Sequence, residues 1–492
     1  MSIGRRARRV DLTPVTPVLR AYGLAYLFTT APRIFAFLRR VRRSHLKLEE
    51  QLVVLRNVLF TSLQLNRFPT AAAVLIGGAT TFPRLVSAIL RWTISIFTRQ
   101  KPLHLDKNVY LCLRAACSFL SAWLAFGLLN RDEDWTRKRA ESRAAAVVDD
   151  STVYVPKRQD LLSPSHSPSY AGKTIDFTSF AFCRALDVVI ISAWSRTRTR
   201  SWHPERRTPR LASFLRETAD PSIFAMSAAV IMWSWFYAPE RLPREYNHWV
   251  SKAADIDPRL IQALRLARQG NFVYGEDTGQ APLLASLCRE LGLPEDYGDP
   301  AKTNPIPCEL YHCGSGKSCE FHALSRFWRS WEFAMEIYVP LQVLALLRAP
   351  SSESILDGLR NAAISSSFLA TFVASFYYAV CLARTRLGPK IVPYKTITPQ
   401  MWDSGLCVLA GCLACGWSIF LEKPKRRQEI AFFVAPRALA TLIPRVYDKR
   451  YQRREQVVFA ASIAVVLTTL KSNQNRNVRG VLGRLLCGIL ND

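Results

Sequence analysis

Residues 362–382 read AAISSSFLATFVASFYYAVCL, twenty-one positions without a single charged side chain. A helix needs about 20 mostly apolar residues to cross the hydrocarbon core of a bilayer, so this stretch sets the fold class: an all-α, polytopic helical membrane protein. Working outward, similar blocks recur. Before it lie 70–90, 109–129 (interrupted by Arg114), 177–194 (holding Arg184 and Asp187), 222–238 and 333–347 (with Glu336 and Pro340 inside). After it come 404–420, 429–443 and 456–470. In the 70–90 block, Gly77 and Gly78 have no side chain to hold a neighbouring helix away.

Composition alone hides this pattern. The chain has 492 residues, 49% of them hydrophobic, with a mean hydropathy near zero. Even spreading of those residues would suit a soluble enzyme, but they gather into blocks separated by charged or Pro-rich loops. The net charge is +28, and its basic clusters sit beside apolar blocks, as at Arg39-Arg40-Val41-Arg42-Arg43, Lys425-Arg426-Arg427 and Arg450 to Arg454. Juxtamembrane clusters of this kind attract acidic lipid at roughly 1 kcal/mol per charge. The expected partners are therefore membrane lipids with anionic head groups, and protein partners for the basic loops, but not nucleic acid. Self-association into a homo-oligomer is left open. Lys and Arg abound on both sides of several blocks, so charge asymmetry selects no single topology.

Between the blocks the chain changes character. Residues 1–69 are basic and amphipathic, which suits helices lying at a membrane surface. Residues 140–176 are polar, with a Ser/Pro run from Ser163 to Ser169, and are expected to be a disordered insertion. Residues 239–332 are Pro-rich, mixed in charge and Cys-bearing, a water-facing connector with short helical pieces such as 258–269. Residues 471–492 are expected to be a polar tail. No secretory signal is expected at the start, because Asp11, Pro14, Pro17 and Arg20 interrupt any early apolar run.

The blocks also resemble one another. Leu124-Ala125-Phe126-Gly127 matches Leu413-Ala414-Cys415-Gly416, and in the same register Glu133 meets Glu422 and Arg137-Lys138 meet Arg426-Arg427. Residues 180–186 match 433–439, and Phe224-Ala225-Met226-Ser227 matches Phe459-Ala460-Ala461-Ser462. The order is the same in both halves, which is the signature of a duplicated unit. Two pseudo-repeated four-helix units follow, over 70–238 and 333–470, joined by the Cys-rich connector.

Two sets of polar residues are candidates for function. Arg184 and Arg437 fall at equivalent places in their blocks, with Asp187 one turn from Arg184. An arginine inside a bilayer turns to a bundle interior, a wet cavity or a lipid phosphate, or reaches out to the head groups. The second set is the knot from Cys308 to Cys319. Cys308, His312, Cys319 and His322 form two short-spaced pairs of the donor types that bind zinc in a tetrahedron, and Gly314 and Gly316 let the loop between them turn. A structural zinc ion, a disulfide and plain packing of thiols and imidazoles are all compatible with this spacing. No other cofactor is expected. Half of the twelve cysteines (Cys112, Cys117, Cys381, Cys407, Cys412, Cys415) lie in apolar blocks, where they act as small hydrophobes. No nucleophile elbow, P-loop or dinucleotide-binding glycine run is present, so the chain is expected not to be an enzyme.

Cys308, His312 and Cys319, then Ile337-Tyr338-Val339-Pro340-Leu341, then Ser366-Ser367-Phe368-Leu369, then Glu422 before Arg426-Arg427, resemble the transmembrane protein 135 family. The resemblance covers about 288–445, and through the repeat extends over 56–250, with Ala238-Pro239-Glu240 and Tyr246-Asn247-His248-Trp249. That family has a Cys-rich start followed by spans distantly similar to Tim-type preprotein translocases. His322 departs from its pattern. The resemblance implies a multi-pass protein of peroxisomal, or secondly mitochondrial, membranes, concerned with lipid handling and organelle dynamics. The expected function is transport or organisation of lipid-derived solutes. The alternative is a membrane scaffold or import-type component that binds proteins through its basic loops.

Overall fold

The computed structural model describes residues 15–43, 48–98, 106–131, 170–200, 209–346, 352–393, 395–472 and 478–490. In chain order its longer elements are α1 (Thr16–Arg43), α2 (Leu48–Leu63), α3 (Phe68–Thr98), α4 (Lys107–Leu129), β1 (Tyr170–Ala171) and α5 (Ile175–Arg200). There follow α6 (Pro209–Tyr237), α7 (Arg244–Ala254), α8 (Pro258–Gln269), α9 (Ala281–Glu290), α10 (Cys319–Leu346) and α11 (Ser352–Cys381). The last are α12 (Cys407–Cys415), α13 (Pro424–Leu442), β2 (Tyr447–Asp448), α14 (Gln452–Ser472) and α15 (Gly480–Leu490). The all-α class holds, and the one strand pairing among the described residues is the two-residue β1–β2 contact.

Among the described residues four helical stretches are long and apolar enough to cross a membrane: Glu49–Ile94, Asn108–Leu129, Ile355–Arg386 and Pro399–Leu421. Their outward faces carry large apolar side chains in the open, such as Leu120 and Leu124 on α4 or Leu409 and Leu413 on α12. A water-soluble helix would turn polar residues outward there, so these faces point to an integral membrane protein. The blocks expected at 177–194, 222–238, 333–347, 429–443 and 456–470 are all helical but are not among these four. In-block charges such as Arg184, Asp187, Glu336 and Arg437 dilute the hydropathy of 177–194, 333–347 and 429–443, while 222–238 and 456–470 carry no charge but are shorter apolar runs.

The helices fall into two compact units, residues 1–203 with 444–492, and residues 204–443. This division differs from the one drawn from sequence, since α6 belongs to the second unit and α14 to the first. Most of the polar insertion, 140–169, lies outside the described residues. Its end is ordered, because 170–176 forms β1 and opens α5. The supposedly polar tail contains the apolar helix α15, whose Ile489 is buried with Ile76, Ala79 and Leu467.

In the first unit α4 packs against α3 and α14, and α14 against α5. Gly78 makes the α3–α4 approach possible, because a Cβ there would lie 2.0 Å from the Ser121 hydroxyl oxygen. Phe126 meets Phe459 with ring centroids 5.7 Å apart. Arg114, which interrupts the second block, is buried and donates to the Ala79 and Leu467 carbonyls at 3.1 and 2.8 Å. Glu455 accepts from Thr174 and Thr178, each at 2.8 Å, and from the Tyr447 hydroxyl. These contacts satisfy polar groups that would otherwise be stranded in an apolar bundle.

In the second unit α6 packs against α13 and α12, and α11 against α10 and α12. Gly416, just after α12, lies so close to α6 that a Cβ on it would sit 2.4 Å from the Ala225 Cα. The connector forms its own apolar core from α8, α9 and the turn Cys308–Tyr311, around Leu260, Leu284, Leu287, Ile306 and Leu310. Helix α8 spans the expected 258–269, with Asp257 as its N-cap.

Candidate functional site

The connector loop and the end of α11 bring four ligand-capable side chains together. The ligand atoms of Cys308, His312, Cys319 and Cys381 all lie within 4.8 Å of one another. Cys308 opens the single turn Cys308–Tyr311, and His312 follows at its C-terminal end. Cys313, Gly314 and Gly316 have φ of 47°, 85° and 85°. That left-handed backbone, easy only for glycine, folds the loop back so that the His312 ring can donate from Nδ1 to the Gly316 carbonyl at 2.7 Å. The carbonyl can only accept, so in the neutral ring the nitrogen left with a lone pair is Nε2. It faces the Cys381 sulfur at 3.6 Å. Cys319 begins α10, and Cys381 ends α11.

The sequence placed His322, not Cys381, beside Cys308, His312 and Cys319. Three of those four residues meet. His322 instead stacks flat on His312, ring centroids 4.4 Å apart and 16° between planes, and lies perpendicular to the Tyr377 ring at 5.4 Å. Burial, and then the neighbouring His312, pull its pKa down to about 3, so it is a neutral imidazole at any ordinary pH. The Cys308 thiol moves the other way from a buried thiol's usual rise. A hydrogen bond from Cys381 is the main cause, with Arg384 and the Thr385 hydroxyl helping.

Below the cluster α11 widens into a π-helical turn, Leu382–Arg386, and the turn Trp402–Leu406 that leads into α12 is kinked at Gly405, whose φ is 146°. One extra residue in a turn re-aims the side chains that follow. Here the two turns aim Arg384 and Asp403 at each other as a buried two-point ion pair, 2.5 and 2.8 Å. The Tyr274 hydroxyl also donates to Asp403, and the Tyr311 ring lies 4.3 Å from the guanidinium. Sequence reading missed this pair, although an Arg just after one apolar block and an Asp just before the next are its visible trace.

The second feature of this unit is an apolar cavity of about 280 Å³ between α6, α7, α10, α11 and α13. Phe224, Trp235, Phe368, Phe372 and Phe376 supply much of its wall, and Tyr246, Tyr338 and Tyr377 add the polar edges. The Tyr377 hydroxyl is committed to the Ala254 carbonyl at 2.7 Å. Tyr377 therefore belongs to the cavity wall and touches His322, which touches His312.

The in-block charges are not one site. In the first unit Arg184 is buried and donates to the Arg479 carbonyl at 3.3 Å, with the Phe180 ring 5.3 Å away. Asp187 pairs with the Arg479 guanidinium rather than with Arg184. In the second unit Arg437 is half-buried and donates to the Phe433 carbonyl at 2.5 Å, lying 3.6 Å from the Phe433 ring and 5.8 Å from that of Tyr246, both of which line the cavity. Among the described residues the structure thus offers a Cys/His cluster able to hold a metal and an apolar cavity beneath it. No protein-family model, curated protein or solved structure matches this chain, and both features stand on its own residues.

Proposed function

We propose that this chain is a non-enzymatic, multi-pass membrane protein that holds a single-chain, lipid-derived anion in its second unit and transports or organises such molecules. The observation that carries this reading is the apolar cavity, whose volume is near the lower end of small-molecule sites, about 300–1,000 Å³. An acyl chain arriving from a bilayer gains nothing by leaving one hydrocarbon phase for another, so recognition must come from shape and from the few polar groups. The aromatic wall supplies shape. Arg437, in contact with Phe433 and near Tyr246, supplies a cation that suits a carboxylate or phosphate head group. Resemblance to the transmembrane protein 135 family supports a peroxisomal or mitochondrial membrane as the setting.

A long-chain fatty acid bearing a photoreactive diazirine and an alkyne tests this on the purified full chain in detergent. Adducts should concentrate on α6, α11 and α13, be competed by the unmodified fatty acid, and fall sharply in Ala228→Trp, which fills the cavity. Labelling spread evenly over the apolar helices of both units, without competition, would overturn the reading and favour the scaffold alternative. Imaging a tagged copy against peroxisomal and mitochondrial markers tests the location.

We also propose that the two units are pseudo-repeats that have exchanged a helix. The matched segments fall on α4 and α12, on α5 and α13, and on α6 and α14. In the first unit α14 packs on α4 and α5, while in the second α6 packs on α12 and α13. The pairings correspond, but each unit takes its third matched helix from the other half of the chain. Cysteine pairs placed across α4–α14 and across α6–α12 should crosslink within a single chain. Crosslinks that form instead between α4 and α6 would refute the exchange.

A further inference from the structure

We infer that Cys308, His312, Cys319 and Cys381 form a closed, tetrahedral zinc site that fastens the connector to membrane helix α11. The inference is independent of what occupies the cavity. Three thiolates and one imidazole are a donor set typical of structural zinc. Geometry agrees with composition. With Zn–S near 2.3 Å and Zn–N near 2.0–2.1 Å, a regular tetrahedron has an N···S edge of about 3.6 Å. The His312 Nε2–Cys381 Sγ separation is 3.6 Å. All four ligand atoms fall within 4.8 Å of one another, close to what one shared ion would impose.

The second observation is the orientation of His312. Its Nδ1–H is held by the Gly316 carbonyl at 2.7 Å. A metal-bound histidine characteristically donates its other nitrogen to such an acceptor, which fixes the tautomer and aims the lone pair. Here the aimed nitrogen is Nε2, and it faces the Cys381 sulfur at 3.6 Å. His322 takes no part as a ligand. Its ring, stacked on His312 and against Tyr377, props the liganding ring from the side.

On binding, zinc replaces the three thiol protons, which leave to solvent, and accepts the Nε2 lone pair. The resulting site carries one net negative charge, and on the adjoining turn Arg384 and Arg386 are paired with Asp403 and Glu320. Four protein ligands leave no open position, so the site is structural rather than catalytic. What it holds is specific. Cys308, His312 and Cys319 belong to the connector and the start of α10, whereas Cys381 ends the helix that carries the cavity residues Phe368 to Tyr377.

The test is metal analysis of the purified full chain in detergent, after dialysis against a weak chelator. One zinc per chain is expected, with no stoichiometric iron or copper. Cys381→Ser should weaken zinc affinity roughly tenfold or more, since even outer partners of a metal site are worth roughly 10–100-fold. His322→Gln and Cys288→Ser should keep full occupancy. Should Cys381→Ser fail to fold, cobalt substitution of the wild-type chain decides the matter, through tetrahedral d–d bands and thiolate-to-cobalt charge transfer scaled to three sulfurs. The proposal falls if the folded chain carries no metal, if its mass reveals a disulfide among these cysteines, or if His322→Gln loses zinc while Cys381→Ser retains it.

Discussion

The Arg384–Asp403 pair gives the sharpest test of how the second unit is held together. Both side chains are about 2% exposed, and the carboxylate receives two bonds from the guanidinium and one from the Tyr274 hydroxyl. Asp403→Asn changes almost no volume but removes the charge opposite a buried guanidinium. Breaking one side of a buried pair costs about 3–5 kcal/mol, because the surviving charge is left uncompensated. The unit runs from residue 204 to 443, and for domains of such length each kcal/mol moves Tm by about 2–4 °C. A fall of about 6–20 °C is therefore expected, read by thermal unfolding of the detergent-solubilised chain. Replacing both partners, as Arg384→Met with Asp403→Leu, should recover most of the loss, since a buried ion pair exchanged for apolar groups of like volume is often neutral. The reasoning fails if Asp403→Asn melts within a degree of wild type, or if the double variant is as unstable as the single.

Three further perturbations separate packing from electrostatics. Gly416→Ala puts a methyl 2.4 Å from the Ala225 backbone and should cost at least the roughly 1–3 kcal/mol of an overpacked core. Its sequence counterpart Gly127→Ala meets nothing within 4 Å and should be neutral or gain up to about 1 kcal/mol in helix propensity; thermal unfolding of both variants reads the contrast. Arg114→Lys keeps a buried charge but cannot reach both the Ala79 and Leu467 carbonyls, so about 1.5–3 kcal/mol should be lost to the missing charged hydrogen bond. Asp257 caps α8 and is held below the usual carboxylate pKa mainly by the Arg259 side chain; Asp257→Ala should cost about 0.5–2 kcal/mol. Because the folded value is depressed, that contribution is whole above about pH 4 and fades as acid takes the pH through the lower folded pKa, so wild type and variant should converge there.

Membrane-helix character was legible because it is a property of composition over about 20 consecutive residues, and 362–382 or 404–420 need no partner to declare it. Three of the four members of the metal cluster were legible for a similar reason. Cys308, His312 and Cys319 lie close in sequence, and Gly314 and Gly316 mark the turn between them. Cys381 was not, because the α10–α11 hairpin separates it from Cys319, and a thiol at the end of an apolar block looks like any other small hydrophobe. His322 misled for the opposite reason. Its position one turn after Cys319 puts it on the same side of α10, but its ring stacks on His312 instead, with Nδ1 buried and making no hydrogen bond. The turns that aim Arg384 and Asp403 leave only a faint local trace, Gly405 with its φ of 146°, since the pair itself forms only where two helices and the connector meet in space.

The make-up of the first unit has a consequence for how the chain is completed. Its helices α1 to α5 precede the whole second unit in sequence, but its polar interior is closed by residues that follow it. Glu455 accepts from Thr174 and Thr178, Leu467 offers its carbonyl to Arg114, Arg479 pairs with Asp187, and Phe459 packs on Phe126. A chain cut at residue 443 leaves a buried guanidinium at Arg114 short of one acceptor and a carboxylate at Asp187 without its cation, each costly in an apolar bundle. It also strips the apolar cover from α4 and α5. The second unit loses none of its own segments by the same cut. Hydrogen exchange on the truncated protein in detergent should therefore show protection lost across α4 and α5 while α6, α11 and α13 keep theirs. Equal protection in α4 and α5 with and without residues 444–492 would mean that the first unit is complete without its C-terminal helices, against every one of these contacts.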